Sequence, residues 1–304
     1  MKETTAKKRG LSSDRIFDIF NYALMAVIMI VVAHPLYYVL IASISNPYEV
    51  YAGHTFLLPA DITFEGYARV FKEPAIAMGY LNSIWYTVLG TVVTVAMTIT
   101  TGYCMSKKTL PFRRAIMLFF VFTMYFNGGL IPTYLVVSKL QLLDSVWALI
   151  LPGGISVYNV IVTRTFFETS VPGEIYEAAS IDGSGNLETY FKIALPLAKP
   201  IIAVMVIFTM VGYWNDWYQS LLYIKQNKVL QPLQALLMEL QNNVEYLNRM
   251  AGSMGTAAIQ EAAKAPTQTL RMALVVIIVL PIACAYPFFQ RYIVAGLTLS
   301  LIHI

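Results

Sequence analysis

Six consecutive residues, Tyr213, Trp214, Asn215, Asp216, Trp217 and Tyr218, close a long apolar run as "YWNDWY". Aromatic faces can stack on the C–H faces of a sugar ring, while amide and carboxylate groups bond its hydroxyls. The chemistry on offer is non-covalent recognition by stacking and hydrogen bonding, which a sugar would satisfy. An ionisable group such as Asp216 at membrane depth is a functional position by default. The competing explanation is an interfacial belt, because Trp and Tyr gather at both membrane surfaces. Asn127, Tyr134, Tyr158 and Asn159 lie in other apolar runs. They are further candidates for the same path, with hydrogen bonding between helices as the alternative.

A second set of residues lies between two apolar runs, in "ETSVPGEIYEAASIDGSGNLETYFKIALPLAKP", residues 168–200. Ser170 can cap a helix with Pro172 in its first turn. Glu174 and Glu177 then stand near the positive end of the helix dipole. Ala178 and Ala179 favour helix and let another surface come close. Gly183, after Asp182, fits the left-handed position that ends a helix. Leu187, Tyr190, Phe191 and Ala194 share one face of a second helix, and Glu188 with Lys192 forms an i,i+4 pair. Pro196 and Pro200 mark the passage into the next apolar run. The spacing predicts a helix–turn–helix with an apolar face that needs a cover: its own bundle, lipid or a cytoplasmic partner.

These residues must be positioned by membrane helices. The 304-residue chain is 58% hydrophobic and 12% charged, with a mean hydropathy of +0.62. Soluble domains are about 45–50% apolar and about 25% charged. A crossing takes roughly 20 apolar residues, and six segments qualify: 17–43, 80–105, 115–137, 146–167, 201–224 and 272–289. Such long runs exclude a β-barrel. The first is too long for a signal-peptide core and is expected to remain as an anchor. Cys104 and Cys284 read as small apolar packers, and His34 before Pro35 as the partner of a carbonyl freed by a kink. Gly90, Gly102 and Gly212 read as points of close helix approach.

Basic residues set the orientation. Lys2, Lys7, Lys8, Arg9 and Arg15 precede the first run, and Lys107, Lys108, Arg113 and Arg114 crowd the loop after the second. The positive-inside rule puts both termini, this loop and the Glu177 loop in the cytoplasm. The net charge of +4 follows the loops and is no nucleic-acid footprint. Residues 44–79 and the loop after 224 are expected outside, with small helices, including "LQALLMELQNNVEYLNRM". Residues 251–265, "AGSMGTAAIQEAAKA", suit an exposed loop.

The spacing E-A-A, three residues, G, nine residues, I, one residue, L-P is complete in Glu177, Ala178, Ala179, Gly183, Ile193, Leu195 and Pro196. It resembles the EAA loop of permease subunits of binding-protein-dependent ABC importers. "NGGLIPTYLVVSKLQLLDSVWALILP" and "YWNDWYQSLLYI" resemble the carbohydrate-importing, MalG-like branch. The likeness covers residues 80–292. It implies an all-α, six-helix, type I permease fold in a bacterial cytoplasmic membrane, with residues 1–16 as a cytoplasmic segment. It implies that the loop at 168–200, with Asp182 in its turn, docks on an ATP-binding subunit and couples ATP use to alternating access. No G-x-x-x-x-G-K-[ST] motif occurs, so ATP and magnesium are expected on a separate subunit and this chain is not expected to be an enzyme or to hold a cofactor. The implied partners are two such ATPases, a second permease chain, an extracytoplasmic solute-binding protein, membrane lipid and the sugar. Members end in a short basic tail, whereas this chain ends "SLIHI"; residues 293–304 are read as a cytoplasmic tail with a truncated or non-native end, and His303 carries no role. Two other classes are an ion-coupled secondary carrier and a membrane-anchored assembly or sensor protein. A carrier calls for internal repeats and midspan charges, which the sequence lacks.

The orientation has a direct test. Cysteines introduced at Lys108 and Asn242 should be labelled from opposite sides of the membrane. Labelling of both by an impermeant reagent applied outside would refute it.

Overall fold

The computed structural model describes residues 11–242 and 268–301. The architecture is helical, and among the described residues the extended pairing is an isolated antiparallel bridge, Ser45 to Ile62. In chain order the helices are α1 (Leu11–Ser43), α2 (Pro47–Tyr51), α3 (Glu65–Lys72), α4 (Pro74–Ser106), α5 (Arg113–Tyr125), α6 (Leu130–Lys139), α7 (Val146–Ile150) and α8 (Val157–Thr169). There follow α9 (Gly173–Ile181), α10 (Asn186–Thr189), a π turn (Tyr190–Ala194), α11 (Leu195–Leu197), α12 (Lys199–Trp214) and α13 (Tyr218–Tyr223). Residues 233–242 form α14, and α15 is Gln268–Leu301. The expected tail from 293 is thus helical as far as Leu301. The 251–265 loop, residues 1–10 and 302–304 lie outside the described residues.

The described chain divides into two compact units. In the first, residues 11–70 with 268–276, α1 exposes apolar side chains along its length, among them Phe17, Phe20, Met25, Val31 and Leu40. A helix apolar all round belongs in lipid or against other helices. Beyond it, the Asn46 side chain caps α2 and donates to Asp61 at 2.8 Å. The Ser43 and Tyr67 hydroxyls meet at 2.8 Å. α1 runs helical through Pro35, and His34 lies against Phe56 with its Nε2 buried and unpartnered. The expected bond to a freed carbonyl is therefore not made.

In the second unit α4 packs along α8 and α12. Its core joins Val95, Ile99 and Tyr103 of α4 to Phe167 of α8 and to Ala198, Ile201 and Met205 beside and within α12. Two glycines allow the approach. A β-carbon on Gly102 would stand 2.5 Å from Thr163 Cγ2, and one on Gly90 would stand 2.7 Å from the Tyr213 ring. Gly212 differs, since nothing lies within 4 Å of its β position. Cys104 and Cys284 are exposed rather than packed, because both fall on outward helix faces.

Helix breaks separate the structure from the six continuous runs expected. Three helices are long and apolar enough to cross unaided: Arg15–Ser43, Pro74–Ser106 and Thr269–Pro287. The third expected run bends by 115° between α5 and α6. There Asn127 Oδ1 accepts the Gly129 N–H at 2.9 Å, and Gly129 takes a φ of +89°, so side chain and glycine close a turn that a helix would not allow. The fourth run is split into α7 and α8 by "LPGGIS". The fifth stops at Trp214 and resumes as α13, with Asp216 Oδ1 accepting the Gln219 N–H at 3.2 Å. A 77° bend also separates residues 186–197 from α12. Counting each bent pair once gives up to five crossings by length and composition. On the far side of the bundle, Asp144 Oδ1 accepts three successive N–H groups, of Lys225, Gln226 and Asn227, at 2.7, 2.8 and 3.1 Å. These bonds hold its carboxyl below the usual range.

Gly102→Leu should drive a side chain into α8 and destabilise the unit by about 1–3 kcal/mol, whereas Gly212→Leu should be tolerated in the isolated chain. Thermal unfolding midpoints of the two detergent-purified variants check this. Equal midpoints would remove the close-approach role of Gly102.

Candidate functional site

The predicted helix–turn–helix is present, with changes at its edges. Ser170 ends α8 rather than capping α9, which begins after Pro172 with no side-chain cap. Glu174 occupies the first turn. At the other end, Gly183 has a φ of +78°. Its N–H bonds the Ser180 carbonyl at 3.2 Å, and the Ser184 N–H bonds the Ala179 carbonyl at 2.9 Å. This crossed pair satisfies the last carbonyls of α9 and turns the chain sharply into α10.

The motif alanines face opposite ways. Ala179 is buried in the protein's own fold, while Glu177, Ala178 and Asp182 are exposed. The apolar face expected on the second helix also divides. Tyr190 and Ala194 enter the core, but Leu187 and Phe191 remain exposed, as does Ile181 at the end of α9. The split separates two i,i+4 pairs, with Tyr190 and Ala194 inside and Leu187 and Phe191 outside, where a wider turn runs from Tyr190 to Ala194. Ile193 and Leu195 are half-buried and Pro196 is exposed. Lys192 Nζ donates to Glu188 at 2.7 Å as the spacing predicts.

What fastens this element to the bundle was not legible as a motif. Tyr103, near the end of α4, contacts the rings of Phe167, Tyr176 and Tyr190 at 5.4, 6.2 and 5.0 Å. The Tyr190 hydroxyl also meets Thr100 Oγ1 at 2.8 Å. Lys107 closes the cluster, its Nζ 3.0 Å from the Tyr176 ring centroid and 4.6 Å from that of Tyr103. Burial pushes the Lys107 ammonium down to about 8, so it keeps its charge at neutral pH. The ring faces replace part of the lost water. Burial likewise pushes Tyr176 up to about 12, and its hydroxyl has no hydrogen-bond partner among the described residues. In the sequence Lys107 marks topology alone. The available signal was a tyrosine directly before Glu177 and another in the second loop helix.

The aromatic run divides by role as well. The Trp214 indole is buried, donates to the Ile278 carbonyl at 3.1 Å and meets Tyr80 edge to face. A buried Trp N–H normally finds such a partner, and this one is withdrawn from any ligand in this conformation. The Tyr213 hydroxyl joins Thr94 at 2.9 Å and the Ile150 carbonyl at 3.3 Å. Asn215 donates to the Val211 carbonyl of its own helix, and Asp216 caps α13. Trp217 is half-buried against Tyr218, which is 45% exposed. Of the other candidates, Tyr134 stacks on Tyr223 and Asn127 serves the α5–α6 turn, whereas Tyr158 is exposed and Asn159 half-buried.

Gln219 and Ser220 were not legible as site residues in the sequence. The Gly153 β position lies 3.6 Å from Gln219 Nε2, so the "LPGGIS" break and the start of α13 adjoin. Gln219 Oε1 and Ser220 Oγ are buried without partners there. Two adjoining helix breaks with unsatisfied polar groups form the arrangement that membrane transport proteins use to line a site.

A helical membrane unit with broken spans and a docking-type loop defines a transport subunit rather than a soluble binding module. Residues 75–299 match the family described as binding-protein-dependent transport system inner membrane component, and the chain belongs to that family. It is 35% identical over 287 residues to the polygalacturonan/rhamnogalacturonan transport system permease protein YtcP of Bacillus subtilis, covering 94% of this chain and 98% of that one. It is also 35% identical to Protein LplC of Bacillus subtilis, with 94% of each chain covered. Among solved structures, a bacterial ABC transporter involved in import of the acidic polysaccharide alginate matches with a TM-score of 0.81, 30% identity and coverage of 95% of this chain and 99% of that chain. These relationships support the importer reading over an ion-coupled carrier.

The orphan hydroxyl makes a sharp prediction. Tyr176→Phe should leave the thermal midpoint unchanged or raise it, because an unpaired buried hydroxyl costs about 1–3 kcal/mol. Tyr176→Ala should destabilise the loop by about 2 kcal/mol through lost ring contacts, read as faster amide exchange in α9. A destabilising Tyr176→Phe would mean that the hydroxyl has a partner.

Proposed function

We propose that this chain is one permease of an ATP-driven importer that carries an oligosaccharide across the bacterial cytoplasmic membrane. The observation that carries the reading is the complete E-A-A to L-P spacing in a chain of this family, with Glu177, Ala178, Ile181, Leu187 and Phe191 exposed around the Gly183 turn. Glu177 would pair with a basic group of the ATPase, Ala178 would allow close contact, and the three apolar side chains would be covered on docking. Ala179, Ile193 and Leu195 would hold the element from within, and Pro196 would mark its passage into the next helix.

The proposed assembly contains a second permease chain, two ATP-binding subunits that hold ATP and magnesium, and an extracytoplasmic solute-binding protein. Closure of the ATPases would draw the docking elements together and switch the helices between inward- and outward-facing states, a rigid-body change at a bistable interface. Six crossings with cytoplasmic termini follow if α7 with α8 counts as one broken span. Trp217, Tyr218 and Gln219 are the path residues this chain would contribute, with Tyr158 and Asn159 beside the other break. Because one relative is named for polygalacturonan and a solved neighbour for alginate, uronate-bearing oligosaccharides are the first substrates to try.

Glu177→Lys should weaken ATPase capture by about a hundredfold, since like charges across an interface cost several kcal/mol. Gly183→Pro should do the same by forbidding the positive φ and removing the N–H bonded to Ser180. Permease abundance should stay normal in both, with loss of uptake and of binding-protein-stimulated ATP hydrolysis. Wild-type pull-down and hydrolysis in both variants would sink the docking role. Trp217→Ala should reduce uptake of oligogalacturonide into vesicles holding the full transporter while leaving assembly intact.

A further inference from the structure

The loop after α4 and the helices beside it carry a feature that docking does not use. An open cavity of about 1010 Å³ is lined by α5, the residues just before it, and Arg164 of α8. Four cationic side chains line it: Lys108, Arg113, Arg114 and Arg164. Much of the remaining wall is apolar, including Phe112, Leu118 and Val121. Phe112 and Leu118 are 83% and 71% exposed, so this wall continues onto the outward face of α5.

The charges do not balance. Glu168 Oε1 is shared by Arg113 and Arg164, the latter at 3.0 Å. Among the described residues no carboxylate pairs with Lys108 or Arg114. Four cations thus face one carboxylate beside an apolar surface. Guanidinium and ammonium groups bind phosphate through charge-assisted hydrogen bonds, and an apolar wall beside them favours an anion with hydrocarbon attached. Basic pockets between membrane helices hold acidic headgroups on the same grounds.

We propose that this cavity binds one anionic phospholipid, its phosphate on Lys108, Arg113 and Arg114 and its acyl chains along Phe112 and Leu118 of the α5 face. Assignment to the cytoplasmic leaflet rests on the orientation proposed above. The preference for an anionic headgroup does not, so a topology failure and a binding failure are separate results.

The test is native mass spectrometry of the full-length chain in neutral detergent. It is titrated with phosphatidylglycerol, with phosphatidylcholine of the same acyl chains, and with inorganic phosphate. Phosphatidylglycerol should bind at least about tenfold tighter than phosphatidylcholine. Lys108→Gln should weaken it about fivefold, and Lys108→Gln with Arg114→Gln about thirtyfold, with phosphatidylcholine binding unchanged. Lys108→Arg should bind as wild type does. Equal affinity for the two lipids, or no loss in either Gln variant, overturns the proposal. Displacement of phosphatidylglycerol by millimolar inorganic phosphate would assign the cavity to a soluble anion instead. Exclusion of the lipid when the chain is co-purified with its partner subunits would assign the cations to an acidic protein segment.

Discussion

Tyr103 stands where three parts of the chain meet: the end of α4, the end of α8 through Phe167, and the helix–turn–helix loop through Tyr176 and Tyr190. Everything proposed about coupling depends on that contact. A docking helix held only by flexible chain would move without moving the bundle. Here Tyr176 precedes Glu177 in sequence and packs on Tyr103 of α4, so under the proposed docking a displacement of α9 would act on α4 directly. Lys107 adds a charged group over two of the rings, and the Tyr190–Thr100 bond adds a second fastening.

The second constraint is backbone satisfaction in an apolar setting. A helix bonds its own peptide groups, and any break must find substitutes. Asn127 supplies one at the α5–α6 turn, Asp216 supplies one at the start of α13, and Tyr213 reaches across to the Ile150 carbonyl at the end of α7. These repairs use several of the polar side chains that looked like ligand contacts in the sequence. The groups left over at the adjoining breaks, Gln219 and Ser220, are the better path candidates because no neighbour has claimed them. Close helix packing also relies on missing side chains, with Gly90 against Tyr213 and Gly102 against Thr163.

Family membership sharpens this picture without replacing it. The match spans residues 75–299, which takes in the proposed docking element, both adjoining breaks and the basic cavity. One relative is named for polygalacturonan/rhamnogalacturonan transport, and a solved neighbour for import of the acidic polysaccharide alginate. Gln219 and Ser220 are few polar groups for a translocation path, and the second permease chain proposed above would complete the site.

By itself the sequence determined what depends on composition, loop charge and local spacing. Membrane residence follows from apolar runs too long for soluble helices, and the importer resemblance from motif residues at fixed intervals. The left-handed turn at Gly183 and the Glu188–Lys192 pair were legible because both are interactions between near neighbours along the chain. Tertiary structure decided the rest. It split Ala178 from Ala179, turned Tyr190 inward while leaving Leu187 and Phe191 outside, and buried Trp214 on Ile278. It broke runs that hydropathy reads as continuous, because hydropathy averages over residues and does not register a turn closed by Asn127 and Gly129. The Tyr103 cluster, the shared Glu168 and the Gln219 site each join residues far apart in sequence, and no local pattern encodes which distant partner a side chain will meet.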